Sequence, residues 1–281
     1  MALANRTRRT IGRIVRFAFS LALATVMIFP FYTTLMGAFK TNGGLFADPF
    51  GLPNPPVMEA WQGVLSKNSD FFQYLGNSVL VAALTIGLTV LVSFLAALAL
   101  SRIQFRGRAF FYNFFIMGML FPLTVAVLPL YLLLRDFSLL GNHLGIILPQ
   151  VAFSLPLSVF IFTGFFKDVP WELQDAVQID GGGLMTFGWR ILLPLSTPVI
   201  STVTIITFIS SWNQFLLPLL VLSDRPSFTL PLGVMQYQGQ FASGWNLIMA
   251  FVTLSMLPMV IFYIALQRWV VAGLTAGAVK G

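Results

Sequence analysis

The sequence contains no cysteine, which excludes disulfide frameworks, thiolate metal sites and cysteine nucleophiles together. Charge is almost as scarce. Only 9% of the 281 residues are Asp, Glu, Lys or Arg and 57% are apolar, where a soluble domain carries roughly 25% charged residues. With a mean hydropathy of +0.87, a soluble chain would lack the charge to cover its own core, so the bilayer must be its solvent. Histidine occurs once, at His143, and there are nine carboxylates: Asp48, Glu59, Asp70, Asp136, Asp168, Glu172, Asp175, Asp180 and Asp224. No carboxylate pair suited to acid–base work, no His–Ser or metal-ligand cluster and no GxxxxGK[ST] phosphate loop is found. The expectation is a chain with no catalytic residue, no bound cofactor and no metal.

What is present is long apolar runs. Charge-free stretches cover 17–39, 71–101, 109–134, 137–166, 191–223 and 226–267, each longer than the about 20 residues a helix needs to cross the hydrocarbon. They predict an all-α membrane protein with six spans, centred near 17–39, 76–100, 110–133, 145–166, 194–221 and 246–267. The window 41–58 is interrupted by Asp48 and rich in Pro and Gly, and is not a span. Leu-Pro-Leu occurs five times, at 128–130, 155–157, 193–195, 217–219 and 230–232, without a fixed period. Pro129, Pro156 and Pro218 are expected to kink their helices, which membrane helices tolerate when neighbours satisfy the freed carbonyls.

The net charge of +7 does not point to nucleic acid, because the basic residues are dispersed between the apolar runs. Their distribution orients the chain instead. With the N-terminus inside, twelve basic residues fall in inner segments (Arg6, Arg8, Arg9, Arg13, Arg16, Arg102, Arg106, Arg108, Lys167, Arg190, Arg268, Lys280) and four in outer ones (Lys40, Lys67, Arg135, Arg225). That asymmetry predicts both termini on the cytoplasmic side. Residues 1–16 read as a basic cytoplasmic segment, either a positive-inside anchor or a surface helix on anionic lipid. The following 23-residue run exceeds a signal peptide's usual ~7–15 apolar residues and reads as a retained first span. The six-helix domain is expected over 17–270, with a cytoplasmic tail over 271–281.

All nine carboxylates fall in loops on this reading. Proton- or ion-coupled carriers ordinarily bury an ionisable group inside a span or use broken-helix carbonyls. An ion-coupled secondary transporter acting without an ATPase therefore stands as the alternative function, resting on carbonyl coordination alone. Four of the nine carboxylates crowd into Asp168–Asp180. There, Asp168 or a neighbour can cap a helix, Pro170 suits its first turn and Glu172 favours its positive end. Leu173, Ala176, Val177 and Asp180 share one face, and Gly181 supplies the left-handed residue that ends the helix. A second helical stretch follows through Phe187, Ile191 and Leu192 into Pro194. The pattern predicts a short helix–turn–helix beneath the membrane, with an apolar face of the kind that docks into a groove on another protein.

Residues 170–198, Pro-Trp-Glu-Leu-Gln-Asp-Ala-Val-Gln-Ile-Asp-Gly continuing to Leu-Leu-Pro-Leu-Ser-Thr-Pro, resemble the EAA loop of ABC importer permeases, here spanning 167–193. The family's Glu-Ala-Ala appears as Asp175-Ala176-Val177 and its Asp-Gly as Asp180-Gly181. Three more stretches resemble the carbohydrate branch of that family, the maltose and glycerol-phosphate type. They are the C-terminal Gly273-Leu-Thr-Ala-Gly-Ala-Val-Lys-Gly281, Trp212-Asn213-Gln214-Phe215 with Gln where Glu is common, and Pro53-Asn-Pro-Pro-Val-Met-Glu-Ala-Trp61.

The resemblance implies a type I importer transmembrane domain in a bacterial cytoplasmic (inner) membrane. It implies a second, related permease subunit, two cytoplasmic ATPases carrying ATP and Mg, and an extracytoplasmic solute-binding protein delivering sugar near 41–74 and 223–245. It assigns ATPase coupling to Glu172, Asp175, Ala176, Val177, Asp180 and Gly181. For the substrate path the candidates are the adjacent amides Asn213 and Gln214, with Thr124, Gln150 and Ser154. The amides either line the path, where they suit sugar hydroxyls, or bond a neighbouring helix. Trp212 either stacks on a sugar ring or packs in the core.

Overall fold

The computed structural model describes residues 2–66, 69–238 and 244–278, and the side chains of 12–66, 69–238 and 244–266. The side chains of Arg6, Arg8 and Arg9 and of the tail 271–281 lie outside the described residues, as does Lys67. The described residues form helices and connecting turns, with no strand among them. In order these are α1 (Ala2–Gly37), α2 (Asn42–Ala47), α3 (Glu59–Leu65), α4 (Phe71–Arg102), α5 (Arg108–Gly118), α6 (Leu123–Asp136), α7 (Leu144–Asp168), α8 (Glu172–Ile179), α9 (Leu184–Phe187), α10 (Leu193–Leu195), α11 (Thr197–Trp212), α12 (Leu216–Val221), α13 (Leu230–Gly233) and α14 (Trp245–Ala278).

Four helices are long and apolar enough to cross a bilayer unaided: Gly12–Gly37, Phe71–Arg102, Leu144–Asp168 and Trp245–Leu266. Two more spans exist if each of two bent pairs counts as one, and the bends change the straight helices expected at 110–133 and 194–221. α5 and α6 meet at 103°, and the Leu184–Leu195 segment meets α11 at 75°. The breaks do not fall at the Leu-Pro-Leu prolines expected to kink. Pro129 lies inside α6 and Pro156 inside α7. The first break instead falls at Met119–Pro122, where Pro122 is extended (ψ 135°) as the residue before α6. An extended residue lacking an N–H is a natural place to restart a helix.

The chain divides into two compact units, residues 1–71 with 234–257 and residues 72–233 with 258–281. In the first, segment 41–58 holds the short helix α2 followed by turns and is not among the candidate spans. Thr41 caps α2 by accepting from the Gly44 N–H at 3.0 Å, and the buried Lys40 ammonium donates to the Asp48 carbonyl. Phe71 meets Phe251 edge-on, centroids 5.3 Å apart.

The second unit holds two separate apolar clusters. One gathers Val81, Leu134, Ile146, Ile147, Leu217 and Val221. The other gathers Phe94, Leu98, Phe162, Phe166, Phe187, Leu192 and Val203. Between these clusters along α4 lie Thr85 and Thr89, along α7 lies Ser154, and along α11 lies Thr207 with Ser211. Thr85, Thr89, Thr207 and Ser211 are all buried. The Ser93 hydroxyl, one turn further along α4, bonds the Thr89 carbonyl, whereas the Thr89 and Ser211 hydroxyls are buried without a partner.

Candidate functional site

Two constellations of predicted residues come together, both in the second unit. The first is the 167–193 loop. α8 begins at Glu172, and Trp171 precedes it with no side-chain cap. Asp168 instead belongs to the end of α7, and the Trp171 carbonyl accepts the first helical bonds of α8, from Gln174 and Asp175 at 2.8 and 3.0 Å. Glu172 and Asp175 are exposed in the first turn, where carboxylates favour the positive end of the helix dipole.

The end of α8 follows the sequence expectation. Gly181 has φ +81°, its N–H donates to the Gln178 carbonyl at 3.0 Å, and the Gly182 N–H reaches back to Val177 at 2.8 Å. This paired arrangement defines a Schellman turn. Gly182 is needed for a different reason: a Cβ there would lie 2.7 Å from Val177 Cγ1 and 3.0 Å from its carbonyl oxygen. A π-helical turn, Gly188–Leu192, then leads into α10.

The exposed face differs in one position from the expected one. Ala176 and Asp180 are exposed and Leu173 is 39% exposed, but Val177 turns inward against the Phe166–Phe187 cluster. Ile179, 86% exposed, takes the outer position. α8 therefore presents Leu173, Ala176 and Ile179 beside Glu172, Asp175 and Asp180. Gln174 is buried on the opposite side, its Oε1 without a hydrogen-bond partner.

The second constellation is a partly polar pocket of about 210 Å³ in the second unit, lined from α4, α6, α7, α11 and α12 and from Gln214 between the last two. Of the predicted path residues, Gln150, Ser154 and Gln214 line it. The Thr85 hydroxyl donates to Gln150 Oε1 at 3.3 Å, whereas Gln150 Nε2 and Ser211 Oγ are buried with no partner. Thr207 and Ser210 complete the polar wall. The wall contains no ionisable side chain, so its chemistry is that of hydroxyl and amide donors and acceptors.

Three other candidates do not join it. Asn213 and Gln214 are not mid-helix, because α11 ends at Trp212 and α12 starts at Leu216. Asn213 is exposed and donates from Nδ2 to Ile209 of its own helix at 2.8 Å. Trp212 packs in the core against Phe208, with centroids 5.2 Å apart. Thr124 is exposed near the start of α6. Thr85, Thr207, Ser210 and Ser211 were not among the predicted residues. Their signal in the sequence is small hydroxyls at helical spacing inside charge-free runs.

These features define a class: an all-α, multi-span membrane protein with an uncharged intramembrane pocket and a rigid, exposed helix between two of its spans. The chain belongs to the family of binding-protein-dependent transport system inner membrane components, which matches residues 89–276. It is thus the membrane component of a transport system and not an enzyme. It is 39% identical over 253 residues to a putative ABC transporter permease protein, ORF2, of Caldicellulosiruptor sp. (strain Rt8B.4), covering 90% of this chain and 91% of that one. It is 34% identical to the sulfoquinovosyl glycerol transport system permease protein SmoH of Agrobacterium fabrum, covering 96% and 95%. Its fold matches a chain in the crystal structure of a bacterial ABC transporter involved in import of the acidic polysaccharide alginate, with a TM-score of 0.82 and 20% identity over 92% of this chain and 96% of that one.

Proposed function

We propose that this chain is a membrane-spanning subunit of an ATP-driven importer for carbohydrate, and that its α8 segment docks into cytoplasmic ATPase subunits. ATP and Mg are held by those subunits, and this chain transmits their movement. A second permease subunit completes the path, and an extracytoplasmic binding protein supplies the substrate. Both termini lie on the cytoplasmic side of a bacterial inner membrane, as the twelve-to-four distribution of basic residues supports.

The observation that carries the coupling role is α8 itself. A two-turn helix exposing Leu173, Ala176 and Ile179 is held at one end by the Schellman turn at Gly181 and on its inner side by Val177 and Gln174. Such a helix is rigid enough to be pushed and apolar enough to seat in a groove. The carbohydrate class is supported by the hydroxyl-and-amide pocket at Thr85, Gln150, Ser154 and Ser211, by the relative named for sulfoquinovosyl glycerol, and by the resemblance of the C-terminal tail. Binding of ATP and sugar biases the bundle between inward- and outward-facing arrangements, the movement expected when two ligands act on one two-state element.

Co-purification tests this reading. An ATP-hydrolysing subunit is expected to travel with the tagged chain out of its native membrane. Recovery of the chain alone, under detergents that preserve other membrane complexes, contradicts it.

A further inference from the structure

Arg102, the last residue of α4, is 5% exposed among the aromatic and aliphatic residues of the Phe94–Phe187 cluster. Its Nη2 donates to two carbonyls at the end of α7, Phe166 at 2.5 Å and Val169 at 2.6 Å. Phe166 lies in the last turn of α7, where its carbonyl also accepts from the Val169 N–H at 3.4 Å, and Val169 is the residue that follows the helix; carbonyls there carry the negative end of the helix dipole. The guanidinium carbon also lies 4.7 Å from the centre of the Trp171 ring and 5.4 Å from that of Phe187. Trp171 immediately precedes α8 and Phe187 ends α9. One cation therefore joins four elements: its own helix, the end of α7, and the segments entering and leaving the α8 turn.

Folding alone gives little reason for this choice. Nε and Nη1 are buried with no hydrogen-bond partner, and burying a charge among aromatic and aliphatic side chains is costly. An apolar residue of similar volume at a buried charged site is often neutral or stabilising. The contacts are also of two kinds. The forked hydrogen bonds to Phe166 and Val169 fix direction, whereas attraction between a cation and a ring face tolerates sliding and rotation. The guanidinium is thus fixed to α7 and free to pivot against the rings that bracket α8.

We propose that Arg102 is the positioning residue through which displacement of α8 is delivered to α4 and α7. The proposal rests on the docking role given to α8 above.

The test uses the complete transporter in proteoliposomes, measuring both ATP hydrolysed and substrate moved. Arg102→Met removes the charge and the fork, Arg102→Lys keeps the charge alone, and Trp171→Ala and Trp171→Phe remove and keep the ring. Arg102→Met and Trp171→Ala are expected to assemble in normal amount and hydrolyse ATP while moving about tenfold less substrate per ATP, a typical loss for a broken coupling between sites. Arg102→Lys is expected to fall between Met and wild type, and Trp171→Phe to stay near wild type. The double variant Arg102→Met/Trp171→Ala is expected to be no worse than either single one.

Unchanged substrate per ATP in Arg102→Met overturns the proposal. So does an uptake lowered only in proportion to a partial loss of assembled complex, as for a purely structural residue. If Arg102→Met does not assemble, the same ratio in Arg102→Lys and Trp171→Ala decides the matter. Failure of the wild-type complex to move substrate with ATP would instead defeat the functional reading on which this rests.

Discussion

If α8 docks as proposed, Gly181 concentrates the coupling role of its loop in one backbone torsion. At φ +81° a residue with a Cβ costs about 1–2 kcal/mol in the left-handed region, and a β-branched residue is a particular outlier there. No heavy atom lies within 4 Å of where that Cβ would sit, so the penalty is torsional and confined to the turn. Gly181→Val is therefore expected to insert and assemble normally while losing most ATP-driven uptake, checked by membrane content and transport in the same cells. Normal uptake by a well-expressed variant would remove Gly181 from the coupling role. In the pocket, Gln150→Leu removes the acceptor for Thr85 and the unpartnered amide N–H. Losing one or two hydrogen bonds to substrate, each worth about 0.5–1.5 kcal/mol, is expected to raise the half-saturating sugar concentration for uptake about tenfold with little change in ATP hydrolysis. An unchanged value would mean that the pocket holds water or neighbouring side chains and not sugar.

At the scale of elements, α8 shows what could and could not be read in the sequence. Its acidic first turn and glycine stop were legible, because turn chemistry is local, but its start at Glu172 was not, since Asp168 belongs to α7 and Pro170 lies between the two helices. Its outward face was legible except at Val177 and Ile179. The two are two residues apart and point to opposite sides of the helix, and only the position of the Phe166–Phe187 cluster decides which turns in. Ile179→Asp tests the face as assigned. Removing an apolar side chain that would be buried on docking forfeits about 1.5–3 kcal/mol, so ATPase subunits should be lost from the purified complex on dilution while the chain remains in the membrane. Retention of those subunits would place the contact elsewhere. The bent pairs α5–α6 and Leu184–α11 were not legible as bends. Hydropathy marks apolar length and is blind to direction, and the prolines singled out for kinks lie inside helices whose neighbours accommodate them.

For the whole molecule, the low charge content was informative about class but nearly silent about the interior. The pocket at Gln150 and Ser154 draws Thr85 from α4 and Thr207 and Ser211 from α11, a meeting that no single run of sequence displays. Asn213 illustrates the converse. Its amide stood out in an apolar stretch, yet it bonds its own helix where α11 ends, before α12 begins. Arg102 was counted only as an inner positive charge, since nothing in its local sequence indicates that it is buried across the ends of α4 and α7. The resulting account is of an uncharged path through the bundle, with the driving force entering through α8. Its most direct test is uptake by the reconstituted complex with proton and sodium gradients collapsed by ionophores. The account predicts that uptake continues with ATP inside and stops without it; uptake by this chain alone, driven by an ion gradient and indifferent to ATP, would contradict it.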